Sequence, residues 1–202
     1  RVGLLAEMRD TVGLVLLSQG IDITSDDSLN DDAFDAARAL IKEQIDSGQI
    51  YIVRGNSYLD DLATENIIAA TAWSGDITVI NYEQATDEDP EPFGFVFPDT
   101  GATLWADEFI VPMGATHKRN VEELINYYYD PVNAAELALW VNYITPVVGA
   151  KEIAAQEDPE LAENQLIFPN EETLGKSSAF RSLTGQEEQR YSTAWQNLLL
   201  GA

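Results

Sequence analysis

Cysteine is absent from the 202 residues, which excludes disulfides and thiolate metal sites. That suits an exported protein that needs no disulfides, and equally a cytosolic one. Histidine occurs once, at His117, so a Ser–His–Asp or Cys–His centre would have to use it. No nucleophile elbow or glycine-rich phosphate loop accompanies it, and His117 is expected at the surface. The acids show no calcium-loop spacing, although a carboxylate-only Ca²⁺ or Mg²⁺ site stays open. No apolar run is long enough to span a membrane. Positive charge is scarce: 11 Lys and Arg face 35 Asp and Glu, a formal net charge of −24. Such a surface repels nucleic acid and anionic membranes, and its field draws in cations. An acidic surface selected for solubility in a high-salt or extracellular setting gives the same total without a ligand. It does not explain where particular acids sit.

Hydrophobic residues make up 45% of the chain, enough for a core in one large domain or two small lobes. The opening Arg1-Val2-Gly3-Leu4-Leu5 reads as a strand with no secretory-signal pattern. A chain that opens in mid-strand is expected to be cut from a longer one. The central stretch is Thr103-Leu104-Trp105-Ala106-Asp107-Glu108-Phe109-Ile110-Val111-Pro112, aromatic and β-branched and closed by proline. Read as a strand, it puts Trp105 and Asp107 on one face. A cation is attracted to both the ring and the carboxylate. The alternative is a core Trp beside a solvated turn acid, and what speaks against it is that the pairing recurs.

The remaining elements follow from periodicity and end signals. A helix is predicted over Met8 to Gln19, stopped by Gly20. Glu7 and Asp10 share one face of its first turn, beyond the carboxyl end of the first strand, where open α/β sheets place their ligand crevice. Ordinary N-terminal capping is the competing account of these two acids. Ser28–Asn30 caps a helix over Asp31 to Asp46, Ile50–Val53 is a strand, and Ser57–Glu65 a short helix. Ile67–Ala72 reads as a buried strand ending in Trp73-Ser74-Gly75-Asp76, again a Trp with an acid, with Gly75 expected to make a tight turn. A helix over Ile77–Tyr82, an acidic loop and a strand over Phe93–Phe97 follow. Strands alternating with helices predict a mainly parallel α/β sheet. Beyond the central stretch the character is mostly helical. Asn120 and Glu123 suggest a capping box, Asp130-Pro131 and Asp158-Pro159 suggest helix starts, Asn170–Leu174 another, and Gln186–Leu200 a terminal helix. Tyr127, Tyr128 and Tyr129 point to different sides of their helix and read as packing and rim rather than iron ligands.

Glu7 with Asp10, Trp73 with Asp76, Trp105 with Asp107, and Tyr143 thus all fall at predicted strand ends or helix starts. Aromatic faces that sandwich a carbon chain, beside carboxylates that hold ammonium groups, describe a receptor for an organic cation better than a catalytic centre.

At these residues the sequence resembles the periplasmic polyamine-binding proteins, the spermidine/putrescine receptors of ABC importers, within the type II solute-binding family. The markers are Arg1-Val2-Gly3-Leu4 before the acidic helix start, Trp73-Ser74-Gly75-Asp76, Leu104-Trp105-Ala106-Asp107, Leu124-Ile125-Asn126-Tyr127 and Asn142-Tyr143-Ile144-Thr145-Pro146. The resemblance implies a two-lobed, hinge-closing, non-enzymatic receptor of periplasmic or other extracytoplasmic location, lipid anchoring of the full-length protein included, with no cofactor or metal. It implies that Glu7 and Asp10 are the paired acids, Trp73 and Trp105 the flanking rings, Asp76 and Asp107 the ammonium-binding carboxylates, and Tyr143 the late aromatic. Arg181 falls where the family often has Gln, a departure that would oppose a cation unless an acid neutralises it. The implied fold class is α/β, type II periplasmic-binding-protein-like, a mainly parallel sheet flanked by helices with an incomplete second lobe. Residues 1–103 with 163–202 would form one lobe, and 104–162 the returning segment of the other, whose remaining part lies N-terminal to this chain. The implied partners are a polyamine and an ABC permease, with neither nucleic acid nor direct membrane insertion, and with self-association through the incomplete lobe. A receptor for another solute on the same fold, such as ferric ion or an amino acid, is the alternative. A carboxylate hydrolase is a third class, which needs an acid pair poised across a sugar cleft.

Overall fold

A computed structural model describes residues 1–201. Strand β1 (Val2–Leu5) lies between β2 (Ile50–Arg54) and β3 (Ala69–Ala70), both parallel to it, in the order β2-β1-β3. Helix α1 (Met8–Ser18) follows β1, α2 (Asp31–Asp46) precedes β2, α3 (Tyr58–Ala63) precedes β3 and α4 (Ser74–Gln84) follows it. A second parallel pair joins β4 (Ala102–Leu104) to β5 (Ser177–Ala179), with Ala102 opposite Ser177. Between them run α5 (Lys118–Tyr128), α6 (Pro131–Val141), α7 (Ala150–Glu157), α8 (Pro159–Ala162) and α9 (Glu171–Gly175), and α10 (Gly185–Leu199) ends the chain.

Helices α2, α6, α8 and α9 begin where short polar side chains satisfy free N–H groups. Asn30 accepts from Ala33 N–H, Asp130 from Val132 N–H, Asp158 from Leu161 N–H and Asn170 from Thr173 N–H. Three apolar clusters hold the elements together. Val12, Leu16, Phe34, Ile41, Tyr191 and Trp195 join α1, α2 and α10, with the Phe34 and Tyr191 rings stacked 3.9 Å apart. Leu5, Tyr58, Leu62, Ile67, Ile77 and Ile80 pack α3 and α4 on the β1–β3 side of the sheet. A separate cluster of Ala134, Ala138, Ala150, Ala154, Ile167 and Phe168 binds α6, α7 and α8. Helix α1 also lies directly on β4: at Gly13 an added Cβ would stand 2.7 Å from Thr103 Cγ2.

Five expectations from the sequence are corrected. The central strand stops at Leu104, and Trp105 to Pro112 are irregular and mostly exposed, because β5 ends at Ala179 and offers no further ladder. The strand over 67–72 shrinks to Ala69–Ala70, and Phe93–Phe97 is irregular. There the Asn81 amide both donates to Phe93 O and accepts from Phe93 N–H, each at 2.9 Å, replacing a neighbouring strand. Helix α5 starts two residues before the proposed capping box, so Asn120 sits inside it and His117, exposed, precedes it without a side-chain cap. Gly75 makes no turn but lies within the first turn of α4. It is small for a different reason, which belongs to the site.

Candidate functional site

The parallel strands bring their carboxyl ends together, and the sequence resumes there with acids and rings. Beyond β1, Ala6 O is held by the Trp195 indole N–H at 2.7 Å, and Ala6 N–H donates to Arg54 O at 2.7 Å. Thr11 Oγ1–H donates to Leu5 O at 2.6 Å, while Leu5 N–H donates to Thr71 Oγ1 at 2.8 Å. The junction that carries Glu7 and Asp10 is therefore pinned to both neighbouring strands.

Glu7 occupies the N-cap position of α1 but makes no side-chain cap bond, so the capping account fails for it. Its Oε2 is shielded from solvent without a hydrogen-bond partner, and its Oε1 lies over Gly55, 3.8 Å from where a Cβ would be. Asp10 accepts from the Trp73 indole N–H at 3.3 Å. Burial raises its pKa above the ordinary carboxylate value, against the lowering by the Trp73 bond and by Arg9. Asp76, in the first turn of α4, accepts from two phenols: Tyr58 O–H on Oδ2 and Tyr143 O–H on Oδ1, each at 2.8 Å. Burial first, then the bond to Asp76 and its charge, push both phenols well above the usual tyrosine range.

Tyr143 comes from the turn after α6, entered through Asn142 in the left-handed region at φ 59°. Its ring packs against Gly75, where an added Cβ would stand 2.5 Å from the ring and 2.8 Å from Asn142 O. Only glycine leaves that space. The Trp105 ring is 6.0 Å from the Tyr143 ring and half exposed. Asp107 is exposed, close enough for its charge to act on the Tyr143 hydroxyl. A series thus runs from Asp10 through Trp73, Tyr58, Asp76 and Tyr143 to Trp105 and Asp107, with Glu7 three residues before Asp10 at the start of α1. Among the described residues, no Lys or Arg forms an ion pair with Glu7, Asp10, Asp76 or Asp107.

Arg181 is not brought to this group. Its guanidinium donates twice to Leu29 O, at 2.7 and 3.0 Å, and pairs with Glu187 at 2.5 Å and Asp26 at 3.3 Å. It closes a loop against the start of α10, and the acids around it answer the objection that it would oppose a cation. The residue that sequence reasoning missed is Tyr58. Its position in a short amphipathic helix gave no sign that its hydroxyl reaches Asp76.

Open parallel α/β sheets place their ligand crevice beyond the carboxyl ends of the strands, and the acids and rings of this chain gather there. The profile described as bacterial extracellular solute-binding protein matches residues 2–165, and the chain belongs to that family. Spermidine/putrescine-binding periplasmic protein 1 of Haemophilus influenzae is 26% identical over 205 residues, spanning 98% of this chain and 51% of the relative. Among solved structures, the spermidine/putrescine ABC transporter substrate-binding protein PotD of Streptococcus pneumoniae, in complex with calcium and HEPES, superposes with a TM-score of 0.74. It is 20% identical, over 98% of this chain and 57% of that one. A structure from Listeria monocytogenes gives a TM-score of 0.78 at 22% identity, over all of this chain and 58% of its own. The fold expectation is met: parallel sheets flanked by helices, as in these binding proteins. The chain spans about half the length of the Haemophilus relative.

Proposed function

We infer that the protein is the solute-binding component of an ABC importer, acting outside the cytoplasm on polyamines of the putrescine and spermidine class. The observation that carries this reading is the cluster of Glu7, Asp10, Asp76 and Asp107 around Trp73, Tyr143 and Trp105, with no Lys or Arg among the described residues in an ion pair with those acids. An ionised carboxylate only accepts hydrogen bonds, and an ammonium only donates them. Ring faces attract cations and cover methylene groups. A linear polyamine supplies both parts, and the names of the relatives point the same way.

In this reading the protein binds and delivers, to a membrane permease, without catalysis. Residues 1–103 with 163–202 form one lobe and 104–162 return from the other; the separate core around α6, α7 and α8 supports two lobes, and Ile167 and Phe168 carry that core a few residues past 162. Arg181 is left out of the ligand set because its donors are already engaged.

The test is calorimetric titration of the full-length protein with putrescine, spermidine, a neutral amino acid and ferric citrate. Saturable binding of a polyamine, and none of the other two, is expected. Saturation by the amino acid or by ferric ion, with the polyamines silent, overturns the reading.

A further inference from the structure

Tyr58 is fully buried, and its ring packs with Leu5, Leu62 and Ile67. Unlike the other buried aromatic residues, it directs its polar atom wholly into the site. The hydroxyl donates to Asp76 Oδ2 at 2.8 Å and accepts from the Trp73 backbone N–H at 3.3 Å. Its ring meets the Trp73 ring edge-on, 6.2 Å between centroids at 73°. One oxygen therefore touches both the residue that opens α4 and the acid in its first turn.

The proton count fixes the direction of this network. A phenol has one proton and two acceptor lone pairs. Tyr58 uses an acceptor position for Trp73, so its proton goes to Asp76. Tyr143 donates its own proton to the other Asp76 oxygen. Both phenols are held in the protonated form by burial and by that carboxylate. Asp76 is thereby oriented by two donors and retains only acceptor capacity toward anything that approaches.

We propose that Tyr58 is a positioning and specificity-determining residue: its single hydroxyl sets the Trp73 ring and the Asp76 carboxylate together, so that this end of the site accepts only a ligand terminus that donates hydrogen bonds. The proposal deepens the polyamine reading and, in its affinity arm, rests on it. The competing account makes Tyr58 a core ring whose hydroxyl merely found a partner.

Tyr58→Phe keeps the ring and removes the oxygen, and a double-mutant cycle with Asp76→Asn separates the accounts. Putrescine is titrated into the full-length wild type, Tyr58→Phe, Asp76→Asn and the double variant. Tyr58→Phe is expected to weaken binding about tenfold in the wild-type background, the order of one hydrogen bond to a charged group. In the Asp76→Asn background the further loss should stay within about twofold. Unchanged affinity in Tyr58→Phe, or an equal loss in both backgrounds, overturns the proposal. A second arm needs no ligand. Hydrogen exchange at the Trp73 amide should accelerate about tenfold in Tyr58→Phe while the Val12 amide, in the other core cluster, is unaffected. Unaltered Trp73 protection also overturns it. A wild type that binds no putrescine overturns the polyamine reading instead, and the exchange arm then decides Tyr58 alone.

Discussion

At the scale of single residues, the site holds acids in places that cost the fold something. Asp10 is partly buried with one long indole bond, and burial raises its pKa. The sign follows from linkage. A carboxyl with a raised folded pKa disfavours the folded state when ionised. The penalty is full at neutral pH and disappears as pH falls through the folded value toward the unfolded one. Asp10→Asn keeps an acceptor for Trp73 and removes the charge. It should raise the Tm of the ligand-free protein at pH 7 by about 2 °C, the order of a kcal/mol or less for a chain of this size. The gain should shrink as the comparison moves to acid. The same substitution should weaken putrescine binding, and thermal scans of both proteins at pH 7 and in acid check the first half. A lower Tm for Asp10→Asn at pH 7 would mean that Asp10 is held for stability and not for a ligand.

At the scale of elements, α10 shows how the two ends of the chain are tied. Thr184 and Glu187 form a reciprocal capping box, and Glu187 also receives the Arg181 guanidinium at 2.5 Å. Arg181 in turn holds Leu29 O, so the start of α10 is fastened to the loop before α2. The Arg181 bond, and then those to Thr184, lower the Glu187 pKa from 4.5 to about 2. This contribution is complete above the unfolded value and lost as pH falls from about 4.5 to about 2. Glu187→Gln should therefore lower Tm at pH 7, and the difference from wild type should vanish near pH 2. A difference that persists unchanged in acid would assign the effect to packing. Helix starts such as Asn30, Asp130, Asp158 and Asn170 were legible in the sequence because the cap is a local interaction between neighbouring residues. Strands were not, because a strand needs a partner. Trp105 to Pro112 has the composition of a strand and no neighbour to pair with, and Ser177–Ala179 has little strand character yet pairs with β4. The candidate acids and rings could be picked out by type. Tyr58 could not, since its reach to Asp76 arises only when α3 packs beside α4.

At the scale of the whole molecule, two features ask for something outside the chain. Trp105, Phe109, Ile110, Met113, Trp140 and Val148 are exposed within a single stretch of sequence. Extensive exposed apolar surface favours association. Light scattering on the 202-residue chain should show a mass that rises with protein concentration, and a strict monomer at every concentration would contradict an uncovered binding face. The second feature is the net charge of −24. Its field favours any cation, so overall charge alone does not define a polyamine site. The proposed site rests instead on the placement of acids along the aromatic series from Glu7 and Asp10 to Asp107. The direct test compares two amines of equal chain length in the full-length protein at fixed ionic strength: putrescine, with an ammonium at each end, and butylamine, with one. Fixed salt gives both amines the same screening, and repeating the comparison at higher salt removes the larger general attraction felt by the dication. Separate carboxylates at the two ends predict that putrescine binds saturably and at least tenfold more tightly than butylamine, since a charge-assisted hydrogen bond contributes about 1.5–3 kcal/mol. Equal affinities for the two amines, or no saturable binding of putrescine, would contradict the account.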